Sequence, residues 1–409
     1  VNRENDDFVI VGAGIVGLST ALELRKRYPD ASIAILEKEP RPGMHASGRN
    51  SGVLHSGIYY GSDTLKAKVC SIGNARMQQF AKEHGIPCYQ SGKVIIATSE
   101  EDLPVVERLL GNARQNKIRA ECLGEQDIKK IEPFSNPYKV GIYCPDTAVI
   151  DNLAVVNKLA EILTAQKVDL VYGQEVIHIN PRKRKLQTRS HSYGYGFLFN
   201  CAGANADRIA RYFGIGGDYA LLPFKGIYYE LSPEKRHLVK GNIYPVPDIN
   251  LPFLGVHLTR VISGEVYVGP TAIPAFGREN YGFFKGLKIG ESVQIIKSIG
   301  CMYLKNHQAF RRLVHAELKK YSKYRFVEAT RRLVPALTGD DLLPSSKVGI
   351  RPQLVNTRTK RLEMDYIVEE TSNSIHILNA ISPAFTSAFA FAELLVDRLK
   401  TIETSRGAA

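Results

Sequence analysis

The chain has no tryptophan and only four methionines, and its six cysteines, Cys70, Cys88, Cys122, Cys144, Cys201 and Cys301, stand apart with no CxxC pair and no neighbouring histidine set. That scatter excludes a zinc ribbon and a disulfide framework; it fits reduced thiols in a cytoplasmic protein, and no metal site is expected. Long hydrophobic runs are missing as well. The most apolar late stretch, 375–395, is interrupted by Pro383, Glu393 and several Ser and Thr, which suits a buried helix rather than a membrane span. The first seven residues are charged and lead straight into an apolar strand, which argues against a signal peptide. No repeat or low-complexity segment occurs. Acidic residues are in deficit, 41 against 54 basic ones, and the net charge of +13 would attract an acidic substrate, an anionic membrane or nucleic acid; the sign alone does not choose among them.

What is present is organised around the first sixty residues. Phe8 to Val11 is a short apolar run that reads as a buried strand, and it enters Gly12-Ala13-Gly14-Ile15-Val16-Gly17, a G-x-G-x-x-G turn. Leu18, Ala21, Leu22 and Leu24 then recur at helical spacing, and Ser32 to Leu36 reads as a second strand ending at Glu37. Gly12 allows the tight turn, Gly14 the approach of a pyrophosphate, and Gly17 close helix–strand packing, while the helix N-terminus offers free N–H groups to phosphate. Glu37, 25 residues beyond Gly12, is placed to take ribose hydroxyls. A turn that merely needs small residues explains the glycines but not the strand, helix and acid around them. The unit is a dinucleotide-binding βαβ.

With 409 residues and 44% hydrophobic content the chain can build two or three folding units. Gly92 to Thr98 reads as a strand, Glu100 to Asn116 as a helix capped by Ser99, and Val140 to Ile150 as strands around a Pro145-Asp146 turn, together an α+β insertion. A helix over 152–166, a strand over 169–172 and a meander over 175–198 return to the Rossmann-like pattern, ending at the small-residue turn Asn200-Cys201-Ala202-Gly203. Strands follow at 226–231, 254–259 and 266–268, and a strand at 375–378 feeds a helix that starts at Ser382-Pro383. The expected architecture is α/β: a Rossmann-like domain from 1–85, 151–215 and 340–409, and a discontinuous α+β, antiparallel-sheet substrate domain from 86–150 and 216–339.

Several stretches carry a specific resemblance. NSGVLHSGIYY (50–60), LKAKVC (65–70), PFKGIYYEL (223–231), NIYPVPD (242–248), PFLGVHLTR (252–260) and HILNAISPAFTSA (376–388) resemble the L-2-hydroxyglutarate dehydrogenase/oxidase family, within the D-amino-acid-oxidase-like superfamily of FAD enzymes. The resemblance spans nearly the whole chain. It implies FAD as cofactor, oxidation of L-2-hydroxyglutarate or a similar short L-2-hydroxy dicarboxylic acid to the 2-oxo acid, and electrons passed to quinone or oxygen. The residues agree on the cofactor: there is one dinucleotide fingerprint, so a nicotinamide partner has no second seat. The implied cofactor contacts are Gly12, Gly14, Gly17, Glu37 and Lys38; His45, Ser47, Asn50, Ser51 and Gly52; Val176, Ala202 and Gly203; and Ser382, Pro383 and Thr386.

Oxidation of a 2-hydroxy acid needs a carboxylate anchor, a base for the hydroxyl proton, and positive potential near the reduced flavin. Arg351, in Gly349-Ile350-Arg351-Pro352, stands where the superfamily commonly grips a substrate carboxylate with two parallel hydrogen bonds; the bland reading is a surface ion pair. Lys225 is a candidate for the distal carboxylate or the flavin ring, against a solvated strand-end lysine. For the base, His55 ranks first and His257 second, with His376 third, and a histidine on an apolar strand is more often a satisfied core residue than a catalyst. His45-Ala46-Ser47-Gly48 is similar to the His-Ala-Ala-Gly of dimethylglycine-dehydrogenase-type flavoproteins, where that histidine carries the flavin covalently; the reading adopted here is a histidine that only lines the loop. Arg49, Thr271, Pro352, Ile381 and Phe385 depart from the family pattern, which puts the exact acid in question more than the flavin chemistry.

Residues 283–332 hold twelve Lys or Arg against three Glu, a net of +9. Leu287, Ile289, Val293, Ile296, Ile299 and Leu304, then Phe310, Leu313, Val314 and Leu318, fall at roughly helical spacing among them. Two readings stand: an amphipathic surface on the anionic inner face of a membrane, or a lysine-rich solvated face over a core. No aromatic RNA-reading motif accompanies the charge, so nucleic acid is not an expected partner. The rival activity is an amine or amino-acid oxidase of the same superfamily.

Overall fold

The computed structural model describes residues 3–248, 253–319 and 322–407. Val1 and Asn2 of the first expected domain, Pro252 of the PFLGVHLTR stretch and residues 320–321 of the basic region lie outside the described residues, as does the side chain of Leu318.

The first strand, Arg3–Val11, lies at the centre of an eight-stranded sheet, parallel to Ile33–Leu36 on one side and to Ser192–Asn200 on the other. A strand covered on both faces must be apolar throughout, and Phe8, Val9, Ile10 and Val11 are all buried. Asp169–Val171 and Ser374–Ile377 extend the parallel set, and Val176–Asn180, Lys185–Thr188 and Ser192–Asn200 form the expected antiparallel meander. One face is covered by the helices Ile15–Arg27, Leu65–Glu83, Asn152–Ala165 and Ala384–Gly407, whose Leu18, Met77, Leu159 and Phe391 share one core cluster. Asp151 caps the third of these through a 2.9 Å bond from the Ala154 amide.

The second sheet has nine strands, nearly all antiparallel; its parallel join is Asn242–Pro245 beside Lys93–Ile96. Its spine is a long ladder between Tyr219–Leu231 and Leu342–Asn356, which pairs Phe224 with Arg351. This corrects one expected boundary: residues 342–356 belong to the substrate sheet, because that ladder is far longer than the reach of a strand end. The Pro145-Asp146 turn is also not a hairpin. Val140–Cys144 joins the nine-stranded sheet, whereas Ala148–Ile150 pairs with Val53–Leu54 and Cys88–Tyr89 in a three-stranded sheet. That small sheet ties the loop carrying His55 to the substrate domain.

The helix Leu65–Glu83 crosses the start of the last helix at Gly73, where a Cβ would fall 2.6 Å from Ser387 Cα and from the Thr386 carbonyl oxygen. Only glycine permits this approach. It sets the N-terminus of the last helix against the cavity described next.

Candidate active site

A cavity of about 560 Å³ runs between the two large sheets, and it is lined by the C-terminal ends of the first sheet's parallel strands, as expected for an open α/β sheet. At one end the turn after Val11 closes tightly. Gly12 has φ +107°, and a Cβ there would come within 2.6 Å of the Cys201 carbonyl oxygen. Gly17 does not face the cavity; it lies under the Gly12 carbonyl and serves helix–strand packing. Glu37 is buried and accepts bonds from the Ala13 amide at 2.7 Å and the Glu39 amide at 3.0 Å, so its carboxylate shapes the turn as well as lining the cavity. The Ile15 amide at the helix N-terminus donates to Ser47 Oγ at 2.9 Å.

The loop 45–52 is held by its own polar groups. Asn50 donates to the Ser47 carbonyl at 2.7 Å and accepts from the Gly52 amide at 2.8 Å, and Gly52, with φ +75°, turns away from the cavity. Ser51 lines it, as do Val176, Ala202, Gly203, Ser382, Pro383 and Thr386. His45 is engaged at both ring nitrogens, Nδ1 with Tyr281 Oη at 2.9 Å and Nε2 with Glu39 Oε1 at 3.0 Å.

A strap from the substrate domain closes over this end and was not foreseen. Glu279 bonds Lys38 Nζ at 2.6 Å, Tyr281 carries Arg49 over its ring at 4.2 Å, and Arg278 forks onto Asp207, with 2.8 Å to Oδ2. Nothing in the local pattern of GREN marks it, because its partners are distant in sequence. Glu39, His45 and Glu279 come together here in a group of metal-ligating types, and Lys38 Nζ bonds both carboxylates.

The other end of the cavity has a different character. His55 lines it, and its backbone is fixed from two helices: its amide donates to Thr386 Oγ1 at 3.2 Å, and its carbonyl accepts from Asn74 Nδ2 at 3.0 Å. Burial first, then the neighbouring Lys93, His257 and Arg351, push its pKa down to about 3, so the ring is neutral at physiological pH. His257 lies flat on Tyr244, ring centroids 3.9 Å apart, and its Nδ1 meets the Gly255 carbonyl at 2.9 Å. Because a carbonyl only accepts, that bond puts a proton on Nδ1. Arg351 lines the same end, its guanidinium 5.2 Å from the Phe253 ring, and no carboxylate pairs with it among the described residues.

Two sequence candidates fall elsewhere. Lys225 does not line the cavity: its Nζ donates to the Gly282 carbonyl at 2.7 Å and to Asn280 Oδ1 at 3.1 Å, anchoring the base of the strap. His376 is a core residue, fully buried between Asn200 Nδ2 at 3.0 Å and Ser374 Oγ at 2.7 Å. Of the departures from the family pattern, Arg49, Pro352, Ile381 and Phe385 line the cavity, whereas Thr271 is a structural pin, accepting from the Ile227 amide at 3.1 Å. Tyr228 and Tyr244 are lining residues that the sequence reading passed over; Tyr244 was detectable as the neighbour of the His257 strand.

The FAD-dependent oxidoreductase family model matches residues 7–398. L-2-hydroxyglutarate dehydrogenase from Escherichia coli K12 is 35% identical over 405 residues, covering 98% of this chain and 94% of that protein. The chain belongs to the L-2-hydroxyglutarate dehydrogenase family of FAD-dependent oxidoreductases. The human mitochondrial L-2-hydroxyglutarate dehydrogenase is similarly related, 35% identical over 414 residues with 96% of this chain and 88% of the relative covered. In fold the chain is similar to the FAD-bound L-α-glycerophosphate oxidase of Mycoplasma pneumoniae, with TM-score 0.76, 22% identity, and 96% and 94% of the two chains covered. Glycine oxidase from Geobacillus kaustophilus follows the same path, with TM-score 0.72 and 18% identity over 97% and 94% of the two chains. The residues of the first end fit FAD: a glycine turn under a helix N-terminus, a buried acid after the second strand, and small residues at 202–203 with open space at Gly203.

Proposed function

We propose that this flavoenzyme oxidises L-2-hydroxyglutarate, or a short L-2-hydroxy dicarboxylic acid close to it, to the 2-oxo acid. The observation that carries the reading is the sorting of charge in the cavity. Its lining carboxylates, Glu37, Glu175 and Glu279, gather at the cofactor end, while the opposite end presents His55, His257 and Arg351 with no acid among the lining residues. Such a chamber favours a dianion. Arg351 takes the C1 carboxylate through a two-pronged bond. His55 accepts the hydroxyl proton; its lone pair is kept available chiefly by burial, with Lys93, His257 and Arg351 nearby adding to the effect. His257, held by the Gly255 carbonyl and stacked on Tyr244, shapes the wall beside the hydroxyl. Tyr228, Tyr244, Pro352 and Ile381 wall the chamber from water. FAD, when bound, supplies the hydride acceptor. His45, held at both nitrogens, lines the loop without a covalent link to the flavin.

The electron acceptor in this reading is a membrane quinone. Phe283 and Ile289 are 89% and 87% exposed, and Phe284, Val293, Ile296 and Leu304 join them on and beside the helix Ile289–Lys305. Lys285, Lys288, Lys297 and Lys305 are exposed among these side chains, whereas Glu291 is tied to Arg208 and Arg278. An apolar surface with exposed lysines among its side chains is complementary to an anionic bilayer. No helix among the described residues is long and apolar enough to cross a membrane. Flotation with anionic liposomes at low salt, lost in the Phe283→Ser/Ile289→Ser variant, is the expected result; absence of flotation at low salt removes the membrane and leaves oxygen or a soluble acceptor.

Anaerobic mixing with L-2-hydroxyglutarate, its D-enantiomer and L-glutamate, followed by the visible flavin band, tests the chemistry. Bleaching by the L-hydroxy acid is expected. Bleaching by L-glutamate alone moves the enzyme to amine oxidation, and bleaching by none of them rejects this substrate class.

A further inference from the structure

Lys93 lies on the strand Lys93–Ile96 and is 1% exposed, yet its Nζ has no hydrogen-bond partner among the described residues. It is seated between two aromatic faces, 4.6 Å from the Tyr59 ring centroid and 5.2 Å from that of Tyr244. Burial pushes its pKa down, and the neighbours that oppose this are only the thiols of Cys144, which it faces across the ladder, and Cys70; no carboxylate is among the groups acting on it. A buried amine in this position is costly to the free protein, and a leucine or methionine would pack there at less expense. Tyr244, which carries Lys93 on one side, is itself a wall of the substrate chamber and stacks on His257. Lys93 therefore places an amine one aromatic ring behind the cavity surface, near enough to act on His55. Two further buried polar atoms beside it, Tyr59 Oη and Asn242 Oδ1, are likewise without partners among the described residues.

We propose that Lys93 is a specificity-determining residue that selects a dicarboxylate over a monocarboxylate: with Arg351 holding one carboxylate, the second comes to rest against the Tyr244 wall in the field of the buried ammonium. The inference rests on the acid-binding reading of the chamber but not on turnover. At the effective dielectric of a protein interior, a unit charge one ring's thickness away changes the binding of a second negative charge by roughly tenfold.

The test uses the FAD-loaded enzyme and two unreactive acids, glutarate and butyrate, with binding read from the perturbation of the flavin spectrum. In Lys93→Met the preference for glutarate over butyrate is expected to fall about tenfold while the melting temperature holds or rises, since a costly buried amine has been replaced by an apolar chain of similar length. An unchanged preference in Lys93→Met overturns the proposal, and so does a wild-type enzyme that binds glutarate no better than butyrate. Should Lys93→Met fail to retain FAD, Cys144→Asp places a carboxylate opposite the amine and is expected to produce the same loss of preference; an unchanged ratio there is equally fatal. Failure of L-2-hydroxyglutarate to bleach the flavin speaks against the hydroxy-acid reading, whereas these binding ratios speak to Lys93 alone.

Discussion

The two ends of the cavity are built by opposite rules. The cofactor end is built around runs of consecutive sequence, residues 11–16, 36–38 and 43–53, and its lining acids are engaged: Glu37 by the Ala13 and Glu39 amides, Glu175 by Arg189 and Glu279 by Lys38. The substrate end draws single residues from separate segments, His55, Tyr244, His257 and Arg351, and has no acid among its described lining residues. A site that holds a resident cofactor gains from being complete in itself. A site that must bind and release an anion gains from remaining incomplete, because the ligand supplies the missing charge.

The sharpest way to break this comparison is to remove function from one end without touching the other. His55→Asn should lower kcat by about 10²- to 10⁴-fold, the usual contribution of a positioned base, with FAD content unchanged. Its backbone bonds to Thr386 and Asn74 do not depend on the ring, so the fold is expected to persist. A kcat within threefold of wild type would transfer the base role to His257. Arg351→Met should cost about 10²- to 10³-fold in kcat/KM, corresponding to the loss of a charge-assisted pair, again with FAD retained. Steady-state kinetics alongside the flavin-to-protein absorbance ratio checks both.

The converse break is at Gly12. Gly12→Ala puts a methyl group 2.6 Å from the Cys201 carbonyl in a backbone conformation that alanine disfavours. The purified variant should contain little FAD and be about 1–3 kcal/mol less stable, while the fraction that keeps its flavin turns over at the wild-type rate per flavin. A full flavin load would show that the turn tolerates the shift and is not the constraint it appears from its geometry.

The same division explains what could be read from the chain alone. The βαβ unit was legible because its glycines, apolar strand and acid lie within thirty residues and each has a local reason. The meander, the cap at Ser99 and the last helix were legible for similar reasons. Arg351 was singled out by a short motif and His55 by its stretch, and both line the cavity. Lys225 was misplaced because a lysine at a strand start can face either side, and the strap at 280–282 claimed it. Lys93 was invisible: a lone lysine before Val94-Ile95-Ile96 reads as a solvated strand end, and only the sheet reveals that it is enclosed. The strap itself has no periodicity to announce it. Contacts that join sequence-distant segments through single side chains leave no local pattern.

A smaller effect sharpens the contrast between a histidine used and a histidine stored. His376, like His55, is pushed down to about 3, by burial alone. Both rings stay neutral in the folded protein and take a proton in the unfolded chain once pH falls below about 6.5. Each therefore withdraws stability as pH drops through the window from about 6.5 to about 3, at about 1.4 kcal/mol per pH unit, and neither affects stability above it. His376→Gln should flatten the fall of melting temperature between about pH 6.5 and pH 5, as should His55→Asn. Only the second should change turnover, because His376 is spent on Asn200 and Ser374 and lies outside the cavity. If His376→Gln left the acid slope untouched, the ring would have to be protonated in the native core, and its bond to Asn200 would have to run through the amide oxygen instead of the nitrogen.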